Sequence, residues 1–75
     1  MPKLPIISGL KLIKALSKVG YLVDHQTASH FILRHIKAPH RRLTVPNHAE
    51  LQKGTLRAII RQGGIDIEEL NELTD

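Results

Sequence analysis

The stretch of this 75-residue chain with the clearest chemical content is Ala28-Ser29-His30-Phe31-Ile32-Leu33-Arg34. Its alternation of polar and apolar residues predicts a β-strand, in which successive side chains point to opposite faces. His30, Ile32 and Arg34 then share one face, while Phe31, Leu33 and His35 share the other. An imidazole titrates close to neutral pH and can pass a proton in either direction, and a guanidinium can hold an anion. Aligned on one strand face, the two suit proton transfer on a phosphate-bearing substrate.

Five histidines also raise the question of a metal. His25, His30, His35 and His40 recur every five residues, a spacing that puts neighbours on opposite faces of a strand. There is no cysteine, and the spacing gathers no tetrahedral ligand set, so neither a metal nor another cofactor is expected. The lack of cysteine also excludes a disulfide framework and fits a reducing compartment. One Tyr, one Phe and no Trp leave little aromatic surface on which nucleotide bases could stack. No apolar run is long enough for a membrane span, and the start, Met1 to Pro5, does not read as a signal peptide. The expectation is a cytoplasmic protein of one domain, residues 1–75, with a small core.

The formal net charge of +4 conceals a strong segregation. Asp66, Glu68, Glu69, Glu72 and Asp75 all fall in the last ten residues. Residues 1–65 set eleven Lys and Arg against only Asp24 and Glu50, a net +9. A basic body with an acidic tail points to a polyanionic partner met through its phosphates.

The elements that must carry these groups can be read in order. Ser8 is a good N-cap and Gly20 a good stop for a helix over about 9–19, with Leu12, Ile13, Leu16 and Val19 on one side and a lysine row, Lys11, Lys14 and Lys18, on another. Tyr21 to Gln26 and Ser29 to Ile36 read as strands around a turn at Thr27-Ala28. Residues 37–41 turn again, and Arg42 to Val45 alternates as a third strand, with Pro46 expected to end the pairing. Val23, Phe31, Leu33, Leu43 and Val45 are expected to face the helices, leaving Leu22, His30, Ile32, Arg34, Arg42 and Thr44 on an open, basic face. A second helix over about Lys53 to Gln62 buries Leu56, Ile59 and Ile60 and stops at Gly63-Gly64. Its exposed Lys53, Arg57 and Arg61 repeat every four residues, and Lys53, Gly54 and Thr55 lie where free helix amides favour an anion. Asp66 with Glu69 forms a capping box for a short, weakly packed helix through Leu73.

Helix, three strands, helix and short helix give an α+β sandwich. Two helices cover one face of a three-stranded antiparallel sheet, the layer plan of double-stranded-RNA-binding domains.

Several blocks carry a family resemblance. Gly9 with the following helix, Gly20-Tyr21, Gln26-Thr27-Ala28-Ser29-His30, Thr44-Val45-Pro46-Asn47-His48 and Lys53 to Gly64 together resemble the HicA-type toxins of toxin–antitoxin pairs, from about Gly9 to Glu69. The resemblance implies a small endoribonuclease that cuts mRNA, inhibited by a HicB-type antitoxin protein, with its catalytic histidine at His30. The family usually shows Gly-Ser-His where this chain has Ala28-Ser29-His30, and a turn that needs positive φ there would make Ala28 costly.

RNA carries its own nucleophile. Cleavage needs a base for the 2′-hydroxyl proton, donors for the charged phosphorane and an acid for the 5′-oxygen. His30 is placed in one of the proton transfers, and Arg34, Arg42, Lys53, Gly54, Thr55 and Arg57 are candidates for RNA binding. His48 is a candidate acid/base partner. A non-catalytic RNA- or protein-binding module on the same fold is the alternative.

Overall fold

The computed structural model describes residues 3–74. Helix α1 spans Gly9–Ser17, and it starts as expected: Ser8 is extended and its side chain accepts the Lys11 N–H at 3.1 Å. That bond satisfies one of the free amides of the first turn. The helix ends two residues short of Val19. The N–H groups of Lys18 and Val19 reach back three residues, to Ala15 and Leu16, and Gly20 follows at φ 100. The last turn is thus tightened before the chain enters the sheet.

Strands β1 (Tyr21–Gln26), β2 (His30–His35) and β3 (Arg42–Pro46) form an antiparallel sheet in that order, with β2 central. Phe31 and Leu33 of β2 and Leu43 and Val45 of β3 are buried against the helices. Val23 departs from expectation. It pairs with Leu33 yet is 45% exposed. β1 is an edge strand whose register shifts between Val23 and His25, and such a bulge bends an edge away from the layer that would cover it. Only the Tyr21 end of β1 is covered. Tyr21 fills the core place instead, and its hydroxyl donates to the Gly63 carbonyl at 3.0 Å.

Pro46 also departs from expectation. It does not end the pairing but faces His30 as the last residue of β3. The next amide, Asn47 N–H, donates to the Ser29 carbonyl at 2.9 Å, so the Pro46 nitrogen points to the outer edge. There its missing N–H costs no ladder bond.

Helix α2 (Lys53–Gln62) buries Leu56, Ile59 and Ile60, and Gly63 with Gly64 at φ 74 ends it. Helix α3 (Ile67–Thr74) begins where Asp66 Oδ1 accepts the Glu69 N–H at 2.7 Å. It is more firmly packed than its acidic sequence suggests. Leu70 is fully buried, Ile67 and Leu73 pack against the core, and Lys18 Nζ donates to the Leu73 carbonyl at 2.7 Å. Lys18 therefore satisfies a free carbonyl at the end of α3, where a cation is favoured.

The start of α1 and the end of β3 meet at Gly9. Its N–H donates to the His48 carbonyl at 2.9 Å, and a Cβ there would run into the Pro46 carbonyl and crowd Val45 Cγ1. Leu51 N–H donates to the Ile7 carbonyl at 2.9 Å, so the loop after β3 is tied to the segment before α1. Gly9→Ala is therefore expected to destabilise the domain by about 1–3 kcal/mol through overpacking. The measurement is a lower urea midpoint at unchanged slope; a midpoint equal to wild type would show that this end of the sheet yields freely.

Candidate active site

Register alone builds the open face of the sheet. His30 lies opposite Pro46, Ile32 opposite Thr44, and Arg34 opposite Arg42. On the other side of β2, Ile32 meets His25 and Arg34 meets Leu22. Cross-strand partners share a face. His30, Ile32, Arg34, Arg42 and Thr44 therefore stand together on one surface, and His30, Arg34, Arg42 and Thr44 are exposed. The helices pack on the opposite face, and no acid lies on these rungs.

His30 is positioned by its turn. Ala28 and Ser29 are the two central residues of the 27–30 turn that joins β1 to β2. Thr27 N–H donates to the His30 carbonyl at 2.9 Å, and His30 N–H donates to Thr27 Oγ1 at 3.0 Å. The Thr27 hydroxyl thus stands in for a backbone acceptor at the mouth of the hairpin. Ser29 Oγ lies 2.8 Å from His30 Nδ1. That contact occupies one ring nitrogen and leaves Nε2 for any substrate. When Oγ accepts from Nδ1–H, the neutral ring keeps its lone pair on Nε2, which is the form a general base needs.

Ala28 is not strained. Among the described residues His40, at φ 59, is the one non-glycine residue with positive φ. The turn therefore works with an alanine at position 28, and the expected cost of replacing a glycine there does not arise.

Arg34 and Arg42 are directly opposed and both exposed. Among the described residues the one ion-pair contact is His25 Nδ1 to Asp24 Oδ2 at 3.5 Å, so neither arginine is neutralised by an acid. His48 is exposed in the loop after β3, one residue beyond Asn47, whose N–H is bonded to the Ser29 carbonyl. Its backbone is thus close to the His30 turn and fixed by Gly9.

Lys53, Gly54, Thr55 and Arg57 do not join His30 on the open face. They lie on α2, in the helix layer. α2 runs back along β3: its C-terminal end is held at Tyr21 and at Arg41, whose Nη1 donates to the Gln62 carbonyl at 3.5 Å. Its N-terminus consequently falls towards the His30 end of the sheet, one layer behind it. Gln52 supplies no side-chain cap there, and a Cβ on Gly54 would meet nothing within 4 Å.

Two positioning residues, Thr27 and Ser29, were not among the residues singled out for chemistry. The signal for them was present: Ser and Thr beside a two-residue turn bond to nearby backbone and side-chain groups. His30 also lies outside the main surface grooves, which run between α2 and α3, beside Arg34 on β1 and β2, and between α1 and α3. Such an open site suits a polymer laid across the sheet better than an enclosed small molecule.

No helix among the described residues is long and apolar enough to cross a membrane. No curated protein matches the chain closely enough to count as a relative. The profile of one family, described as the HicA toxin of bacterial toxin–antitoxin systems, matches residues 9–65. That match spans α1, the whole sheet, α2 and the turn after it, more than half of the chain. The chain therefore belongs to the HicA toxin family, and it is the toxin component of a toxin–antitoxin pair.

Proposed function

We propose that this toxin is an endoribonuclease of the cytoplasm that cleaves mRNA, with His30 as its general acid/base and no requirement for a metal. The observation that carries the reading is His30 itself: exposed, with Nδ1 against Ser29 Oγ, on a sheet face whose arginines form no ion pair with an acid among the described residues. In the reaction the ribose 2′-hydroxyl attacks the adjacent phosphorus as His30 Nε2 takes its proton. The phosphorane loses the 5′-oxygen as leaving group, which is protonated as it departs, giving a 2′,3′-cyclic phosphate and a free 5′-hydroxyl. RNA supplies the nucleophile, so the protein need only move protons and stabilise charge.

Arg34 and Arg42 are assigned to phosphates on the sheet. Lys53, Gly54, Thr55 and Arg57 are assigned to phosphates passing the start of α2, where uncapped amides and the helix dipole favour an anion. The bare first turn at Gly54 supports this assignment, because a glycine in a helix costs roughly 1 kcal/mol against alanine and nothing inside the domain requires it. His48 is the candidate for the complementary proton transfer.

The antitoxin of the pair is proposed to be of the HicB type and to inhibit by burying the basic face around His30. An interface mapped instead to the lysine row of α1 would count against that placement.

The decisive experiment is cleavage of a long unstructured RNA in EDTA. His30→Ala is expected to lower the rate by about 10²- to 10⁴-fold with the fold intact. Equal cutting by both proteins would remove His30 from the chemistry, and RNA binding without cutting by either would make this a non-catalytic binding module. Ser29→Ala removes the hydrogen bond that sets the ring, worth about 1 kcal/mol, so a roughly fivefold slower rate at unchanged stability is expected. A loss as large as that of His30→Ala would mean that Ser29 itself takes part in the reaction. Ala28→Gly is expected to lower stability by about 0.4–1 kcal/mol, since it frees the unfolded chain without relieving strain. A higher Tm for this variant would show that Ala28 is strained after all.

A further inference from the structure

Resting on the endoribonuclease reading, a second contact with substrate can be located from the register. Arg34 and Arg42 face each other directly across β2 and β3. Like charges at opposed positions of a sheet repel, and among the described residues no acid forms an ion pair with either arginine, although Asp24 lines the groove beside Arg34. Two exposed arginines at directly opposed positions, neither held in an ion pair, form a seat for one anionic group, because each can offer a forked pair of N–H donors to phosphate oxygens.

The distance from His30 gives that seat its meaning. On the open face one rung, Ile32–Thr44, lies between the His30–Pro46 pair and the Arg34–Arg42 pair, which are four residues apart along β2. At a rise of about 3.3 Å per residue, the seat is roughly 13 Å from the histidine along the strand. One phosphate cannot bridge that interval. Successive phosphates of an extended single strand, however, repeat at nearly the interval of alternate residues in a β-strand. A single strand laid along β2 with one phosphate at His30 brings the next over the Ile32–Thr44 rung and the one after that to the arginines. The middle rung leaves this path open, since Ile32 and Thr44 carry no charge and Ile32 is half-buried.

We propose that Arg34 and Arg42 form a phosphate clamp two linkages away from the bond cut at His30, so that the substrate is a single strand lying lengthwise on the sheet rather than a duplex. A duplex is stiff and presents its phosphates on a curved surface, which a straight row of rungs follows poorly. The clamp holds the strand in place and leaves the proton transfers to His30.

The test is a scan with neutral linkages. Oligoribonucleotides with one methylphosphonate, moved stepwise away from a single cleavable site on either side, are given to the wild type and to the double variant Arg34→Gln, Arg42→Gln. In the wild type, a neutral linkage two positions from the cut on one side is expected to reduce cleavage about tenfold, the effect of losing a charged hydrogen-bonded contact. In the double variant the same linkage is expected to cost nothing further, while a neutral linkage elsewhere costs both proteins equally. Equal penalties in the two proteins at every position would overturn the clamp while leaving the nuclease reading intact. So would a penalty peculiar to the wild type at the adjacent linkage. A wild type that cuts none of these strands, nor any long RNA, would overturn both together. Both side chains are exposed and repel each other, so the double variant is expected to keep the wild-type circular dichroism and a urea midpoint equal to or slightly above that of wild type.

Discussion

The constraint on which the rest of this molecule depends is the register of β2 between its two neighbours. Phe31 and Leu33 point into the helix layer, and His30, Ile32 and Arg34 point away from it. A slip of one residue would exchange the two sets. It would bring two large apolar side chains, worth about 1.5–3 kcal/mol each when buried, into water and drive an arginine into a core that, among the described residues, holds no buried polar or charged residue. A domain of this size has a total stability of only about 5–15 kcal/mol, so no slipped state competes. The same alternation that makes the core therefore makes the candidate active face, and neither can be altered without the other.

The sheet has few residues, and its ends are held by contacts distant in sequence. Gly9 and Leu51 close one end through the His48 and Ile7 carbonyls. Tyr21 closes the other through Gly63. His35 reinforces that second end: its Nε2 lies 2.9 Å from the Val19 carbonyl, its Nδ1 accepts the Lys37 N–H at 3.0 Å, and its ring stands edge-on to Tyr21. With Nδ1 accepting, Nε2 carries the proton and donates to Val19. His30 and His35 thus share a strand but have opposite surroundings. One has a ring nitrogen left for solvent, and the other has both engaged in holding the α1–β1 junction to the β2–β3 turn.

Much of this was legible in the residues. The caps at Ser8 and Asp66, the stops at Gly20 and Gly63-Gly64, and the faces of β2 and β3 all follow from local chemistry and period. What was not legible depended on neighbours. Val23 has the right parity for the core, but no pattern in β1 reveals that a bulge beside it bends the edge away. Pro46 reads as a terminator, and only its outward-facing nitrogen explains how it stays in the ladder. α3 looked weakly held because its charges are conspicuous, whereas one leucine, Leu70, fixes it. At the candidate site, His30, Arg34 and Arg42 could be aligned from alternation alone. Thr27 and Ser29 carried the turn signal, but which groups they bond depends on the turn's three-dimensional path. The cost foreseen for Ala28 rested on a positive φ that the turn does not have.

The seating of α3 has a consequence for how the protein meets a partner. α3 packs against α1, which puts the helix layer between its acids and the open sheet face. The α3 acids thus lie away from Arg34 and Arg42 but close to other cations: Asp66 and Glu68 share a groove with Arg57 and Arg61 of α2, and Lys18 of α1 bonds to the end of α3. A polyanion that approaches α3 therefore meets cations and repelling carboxylates together. The pull on that side is weakened, so encounters at α3 are shorter-lived than the net charge alone would make them. That difference fades as salt shortens the screening length to about 8 Å at physiological ionic strength, less than the thickness of the domain.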